Sequence, residues 1–403
     1  MKKEVLFLVF PTIVAAFSLL FCTCTQSKKT QTLQSITPVY EDSCTYYLLG
    51  ENTRIAVPLD NPQQPSITDY FKQVELIPLE TRDDVLIGKM TKLVFYQGRY
   101  YTLDRQQNIV HVFDEHGKFI FKIDNKGQGP GQYSVIYDII INPFIASIEL
   151  LDPMGVIQRY DLSGEYKETV RVKSSEIRAV HRFISLDDHT YVFYGASQPL
   201  KVIGYDMSKE EIIFQAFEEQ GNFNIFSSLD FTPFFYYHGD WYFSRYFNAE
   251  AYKIEKSGIK PAYLWDFGKL QYDSEKVKFT TTWQEDPYNP QKLFAEIESK
   301  CPYRIFGQRQ NNKYIIAKIK LNGKLANLIF DKEKQKCILI DKFAESVGIN
   351  PYLMTNEYML TYSNPEGLGN YITEDMLDER NKEILKEVLS PDANPVIIKY
   401  TFK

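Results

Sequence analysis

The five histidines, His111, His116, His181, His189 and His238, are the first residues to test for chemistry, and no two form a His-x-x-x-His pair. The helical zinc-hydrolase signature is therefore absent, although ligands carried by separate elements could still converge. His111 sits in the strand-like Ile109-Val110-His111-Val112-Phe113 and reads as a packing residue. His181-Arg182 stands just ahead of an apolar run and is a candidate to face a ligand. Asp104, Asp114, Asp152, Asp161, Asp206 and Asp331 all fall at turn positions, where aspartate caps main-chain N–H groups rather than doing catalysis. No Gly-x-Ser-x-Gly nucleophile turn occurs, and no cysteine has the flanks of a Cys–His nucleophile. The aromatic run 231–238, followed by Trp241-Tyr242-Phe243, has ring faces suited either to stacking on a sugar or to packing between sheets. Trp241, Arg245 and Tyr246 are its candidate ligand-facing members.

The elements that must position these residues are mostly strands. The chain has 403 residues with 29 Tyr and 28 Phe against 3 Trp, a composition that favours sheet. A formal net charge of −6 gives no footprint for nucleic acid. Repetition is the strongest signal. Phe113-Asp114, Tyr160-Asp161 and Tyr205-Asp206 each close a strand, with 47 residues between the first pair of aspartates and 45 between the second. Looser copies follow at Ala251-Tyr252-Lys253-Ile254 and Leu328-Ile329-Phe330-Asp331. A period in the mid-forties with about four short strands per unit is the spacing of a β-propeller blade, and a sandwich has no reason to repeat one turn motif at this offset.

The ends supply the last blade. The strand 71–79 precedes the first full unit and 394–402 closes the chain, so pairing them removes an exposed edge and gives six blades. Residues 66–403 are thus expected to form one all-β, six-bladed propeller with short helical insertions. Two stretches read as helical: 273–300, with Leu293, Phe294 and Ile297 on one face, and 373–389, with Leu377, Ile384, Leu385 and Val388. They would pack on the rim or wall a site above the channel.

The N-terminus carries an address. Lys2 and Lys3 precede an apolar run from Val5 to Cys22, after which the chain turns polar, the pattern of a secretory signal. An uncleaved anchor is the competing reading, at the lower limit of length for a span. Phe21-Cys22-Thr23-Cys24 resembles a bacterial lipoprotein box, with Cys24 as the acylated residue; Cys22 would put bulky Phe21 at the cleavage position. Residues 1–23 are then a signal peptide, and 24–65 a polar tether and lead-in. Of the other cysteines, Cys44, Cys301 and Cys337, at most one pair could bridge, and their spacing matches no zinc site.

Immediately after the first repeat comes Lys126-Gly127-Gln128-Gly129-Pro130-Gly131-Gln132-Tyr133. A phosphate cradle would need a Lys-Ser/Thr pair and a helix behind the glycines, and neither follows; Gly127, Gly129, Pro130 and Gly131 read as a structural inter-blade turn. This motif, the relaxed lipobox, the segment 74–80 and the closing Asn394-Pro395-Val396 together resemble the six-bladed β-propeller lipoproteins of Bacteroidetes, relatives of the NHL-repeat propellers. The resemblance covers residue 66 to the C-terminus and includes Trp265-Asp266-Phe267-Gly268. It implies a lipid-anchored protein of the cell envelope, held to the outer membrane on its periplasmic or outer face. The expected role is a binding or interaction module for a small molecule, glycan or protein, with no cofactor motif. The alternatives are a metal-dependent hydrolase or lyase with a divalent ion on the propeller axis, and a glycan-binding accessory of an uptake system.

Overall fold

In a computed structural model the described residues are 37–41, 44–49, 53–195, 200–219, 232–273, 276–280, 291–390 and 392–403. Residues 1–36, with Cys24, lie outside them, as does Phe231. After a two-stranded hairpin, Thr37–Glu41 with Cys44–Leu48, six blade sheets follow one another along the chain, each built on antiparallel strands. Blade 1 is Met90–Tyr96, Arg99–Asp104, Ile109–Asp114 and Phe119–Ile123; blade 2 is Asp138–Asn142, Ser147–Leu151, Val156–Asp161 and Tyr166–Arg171. Blade 3 is Arg182–Ser185, Thr190–Tyr194, Leu200–Asp206 and Glu211–Glu219; blade 4 is Phe234–Tyr237, Asp240–Ser244, Glu250–Glu255 and Gly258–Asp266. Blade 5 is Tyr303–Gln310, Tyr314–Leu321, Lys324–Asp331 and Lys336–Ile340. Blade 6 is Leu353–Met354, Tyr358–Ser363 and Val396–Phe402, completed on its outside by the N-terminal strand Phe71–Pro78, so the ring closes by pairing the two ends.

The repeat motif explains itself in this frame. In Phe113-Asp114, Tyr160-Asp161, Tyr205-Asp206 and Phe330-Asp331 the aromatic ring is buried and the aspartate takes up turn N–H groups. Asp114 Oδ1 accepts from His116 N at 2.8 Å and Lys118 N at 2.9 Å, and Asp161 Oδ1 accepts from Ser163 N and Glu165 N. The glycine-rich segment joins blades 1 and 2. Gly127 (φ 151°) and Gly131 (φ 72°) lie where a side chain is strained, and a Cβ at Gly131 would stand 2.7 Å from the Tyr166 ring. Asn394 seals blade 6 to blade 1: its Oδ1 accepts from Ile87 N at 2.8 Å, and its Nδ2 donates to Glu80 O and Val85 O.

Three details differ from the sequence reading. Residues 53–65, read there as lead-in, lie on the ring: Thr53–Ala56 adds a fifth, parallel strand to the outer edge of blade 4, and Gln63 bridges to Ile340 on the outer strand of blade 5. Ile55 is buried there, which supplies the apolar contact that holds the strap. The first helix among the described residues is α1, Gln291–Lys300; Leu293 and Ile297 are buried one turn apart, while Phe294 points away and is 40% exposed. The second is α2, Glu379–Val388, which starts six residues later than expected because Asp378 caps it by accepting from Asn381 N. Leu377 is extended and outside the helix, though still buried. Asn381 Oδ1 accepts from Leu76 N at 2.7 Å, so α2 packs on the outer strand of blade 6 rather than over the channel. No helix of the described residues is long and apolar enough to cross a membrane. Cys301 and Cys337 are buried free thiols.

Between blades 2 and 3 lies a buried ionic junction. Glu149 accepts from Arg159 Nε and from the Tyr191 hydroxyl, both at 2.8 Å, and Asn142 Nδ2 donates to the same hydroxyl. Arg159 also reaches Glu168 at the surface.

Candidate functional site: a cationic axis

The first strands of blades 1 and 2, 2 and 3, 4 and 5, and 5 and 6 approach one another, which sets them around the ring axis. Three of them place a charge at one level. Lys92 lies near the start of the first strand of blade 1, and Asp138 and Arg182 are the opening residues of the first strands of blades 2 and 3. Their side chains meet: Lys92 Nζ lies 2.9 Å from Asp138 Oδ1, and Arg182 Nη1 lies 3.9 Å from the same oxygen. Asp138 Oδ2 accepts from Phe183 N at 3.1 Å, and Arg182 Nη1 donates to the carbonyls of Tyr137 and His181.

Blade 5 adds Arg309, beside a Gly307 bulge (φ 73°) in its first strand. Arg309 Nε donates to Tyr352 O and its Nη1 to Gln308 O, both at 2.6 Å, and the guanidinium stands 5.9 Å from the Phe235 ring of blade 4. Tyr352, just ahead of the first strand of blade 6, turns its hydroxyl to blade 1, accepting from Leu93 N at 3.0 Å. The partly exposed residues Tyr137, His181 and Tyr352 each precede a first strand and mark the mouth. Tyr137 meets His181 edge-on at 5.6 Å and lies under Arg105 at 4.7 Å.

The electrostatics are one-sided. Burial, aided by the charges of Arg182 and Arg309, pulls the Lys92 ammonium below its ordinary pKa against the opposing pull of Asp138. Burial alone draws Arg309 down to about 10, which leaves it charged at neutral pH. Among the described residues the axis therefore gathers Lys92 and Arg182 around the single carboxylate of Asp138, with Arg309 close enough for its charge to act on Lys92. Such a donor set opposes a divalent cation, which needs carboxylate, imidazole or thiolate ligands.

Of the candidates read from sequence, Arg182 lies on the axis and His181 at its mouth. The others are elsewhere. Trp241 packs edge-on against Tyr236, Arg245 lies over Phe217, and Tyr246 stacks on Phe306 at 5.6 Å, all in contacts within or between blades. The sequence reading missed Lys92, Asp138, Arg309 and Tyr352. A signal existed: Lys92-Leu93-Val94-Phe95, Asp138-Ile139-Ile140-Ile141 and Arg182-Phe183-Ile184 each set a charge ahead of apolar residues, 46 and 44 residues apart. That is the blade period, carried on the strand that the aromatic-Asp motif does not mark. Asp187, Asp188 and His189 form the one potential metal-binding cluster among the described residues, but Asp187 is engaged by Thr190 and Lys256 as a hairpin turn.

The fold and its core thus define a six-bladed β-propeller with a cationic axis. Over residues 51–401 the chain matches the family described as "Domain of unknown function (DUF4934)", and it belongs to that family. Similar solved structures include an exported protein of Bacteroides fragilis NCTC 9343, 16% identical over 87% of this chain and 100% of that one, with a TM-score of 0.63. A member of the DUF4221 family from Bacteroides vulgatus ATCC 8482 is 11% identical over 83% and 97%, with a TM-score of 0.51. At these identities the likeness is one of fold. No curated protein matches the chain.

Proposed function

We propose that this protein is a binding module of the cell envelope that receives its ligand at the axial mouth. The observation that carries the reading is the convergence of Lys92, Asp138, Arg182, Arg309 and Tyr352 from separate blades, since one concavity ringed by several loops is the default site of such a fold. The envelope address draws support from the signal-like N-terminus and from the exported relative of B. fragilis. Acylation of Cys24 would hold the ring to a membrane surface, each buried CH₂ contributing about 0.8 kcal/mol. The hydrolase alternative loses support because three cations occupy the position a catalytic metal would take. The glycan-accessory alternative loses the packed aromatics Trp241 and Tyr246, and keeps only the rings at the mouth.

Two measurements test the reading. Labelled palmitate should enter the full-length protein and be lost in Cys24→Ala; unchanged incorporation removes the lipid anchor. A panel of neutral and charged sugars and small acids, titrated against the detergent-solubilised full chain, should yield at least one saturable ligand. Complete silence across the panel would leave the small-molecule binding reading without support.

A further inference from the structure

We propose that the axial site is a receptor for an oxyanion, the carboxylate or phosphate group of a small ligand, with Arg309 as its principal donor. The inference rests on the binding-module reading and adds the class of ligand. Arg309 is the key because its surroundings are incomplete. A guanidinium has five N–H donors, and Arg309 gives two bonds, both to main-chain carbonyls. Among the described residues no carboxylate meets it, and it keeps 7% of its surface open to solvent. Lys332 shows what a purely structural buried cation looks like here. Its ammonium is fully engaged by Gln310 Oε1 at 3.0 Å, Asn311 O at 2.7 Å and the face of Tyr237 at 4.0 Å.

The neighbours of Arg309 strengthen the case. Lys92 and Arg182 lie close enough for their charges to act on one another, and their shared carboxylate, Asp138, lies on the blade 1–3 side of the axis. Buried charge of one sign is unfavourable unless it is compensated. An incoming oxyanion compensates it and replaces the water it loses with charge-assisted hydrogen bonds. A neutral ligand relieves nothing, and a cation is repelled. The partly exposed rings of Tyr137 and Tyr352 would flank the organic part of the ligand.

The test uses the full-length protein in detergent at fixed ionic strength. Sodium acetate, sodium phosphate and sodium sulfate are compared with sodium chloride by thermal midpoint and calorimetry, and glucuronate is compared with glucose. The expected result is a saturable rise in midpoint with an oxyanion beyond the chloride response, and preference for glucuronate over glucose. The acetate and phosphate arms separate a carboxylate from a phosphate ligand. Loss of one charge-assisted bond corresponds to roughly tenfold in affinity, so Arg309→Gln should weaken binding by about that factor or more. Should Arg309→Gln fail to fold, Arg309→Lys keeps the charge and still loses part of the donor array, and its affinity should fall by less. Equal oxyanion responses in wild type, Arg309→Gln and Arg309→Lys would overturn the assignment of Arg309. Glucose bound as well as glucuronate, with no oxyanion response, would overturn this inference and leave the binding-module reading standing.

Discussion

Two buried groups in this ring each set cations against a carboxylate and come out differently. At the junction of blades 2 and 3, Glu149 faces Arg159, and the Tyr191 hydroxyl completes the set. On the axis, Lys92 and Arg182 share Asp138, while Arg309 stands near them with no carboxylate of its own among the described residues. At the junction charge is matched, and Arg159 spends its remaining reach on Glu168 and the Tyr191 hydroxyl. The axis is lopsided, and its cations are completed largely by main-chain carbonyls. Burial is unfavourable for both, so only the matched group serves stability without a partner. The unmatched one carries a cost that the proposed oxyanion would offset.

The largest effect should separate them directly. Arg159→Met strands Glu149 without its counter-charge and should destabilise the fold by about 3–5 kcal/mol in urea unfolding. Arg309→Gln removes a charge that has no carboxylate partner and should cost no more than about 1.5 kcal/mol in buffer free of oxyanions. Equal losses would break the distinction.

Acid sensitivity comes from a third place and must be set apart from both. His111 is fully buried on blade 1, and burial lowers its pKa from 6.5 to about 4. The unfolded chain therefore takes up the proton first. The stability from the neutral ring is complete above about pH 6.5 and is lost as pH falls towards 4, an effect on the order of 3 kcal/mol. His111→Gln should lose that part of the acid slope, read as urea midpoint against pH; an unchanged slope would place it among the carboxylates.

A neutral joint gives the next scale. Asn394→Ala leaves Ile87 N, Glu80 O and Val85 O without their partner and should cost about 2 kcal/mol at the seam between blades 6 and 1. A loss as large as that of Arg159→Met would mean that hydrogen bonds alone, and not matched charge, set the strength of the joints.

The smallest effect sharpens the axis itself. The folded pKa of Lys92 lies below its unfolded value, so between the two the unfolded chain binds more protons and stability rises with pH. Wild type should therefore gain on Lys92→Met as pH climbs towards 10.5. A difference that stays flat with pH would show that the ammonium is not crowded by its neighbours.

The blades were legible because alternation and the aromatic-Asp turn are local: Tyr160 buries its ring while Asp161 caps its own hairpin, whatever the rest of the chain does. Ring closure was legible for a similar reason, since an unpaired strand at 71–78 needs a partner and 396–402 is the strand left over. The start of α2 was misplaced because Thr373 and Asp378 are both acceptable caps in sequence; the helix begins at the second, with Asn381 fixed to Leu76 on a distant strand. The strap at 53–65 was read as polar lead-in because its apolar residues are few, and they matter only once blade 4 offers an edge.

By itself, then, the sequence determined the unit, its number and the order of strands, all of which follow from patterns within some fifty residues. Only the tertiary structure decided the site. Lys92, Asp138, Arg182 and Arg309 are spread over 217 positions of sequence, and each alone resembles an ordinary strand-end charge. Their meaning arises when closure brings the first strands around one axis, because the free energy of a charge depends on the other charges and the solvent that remain near it.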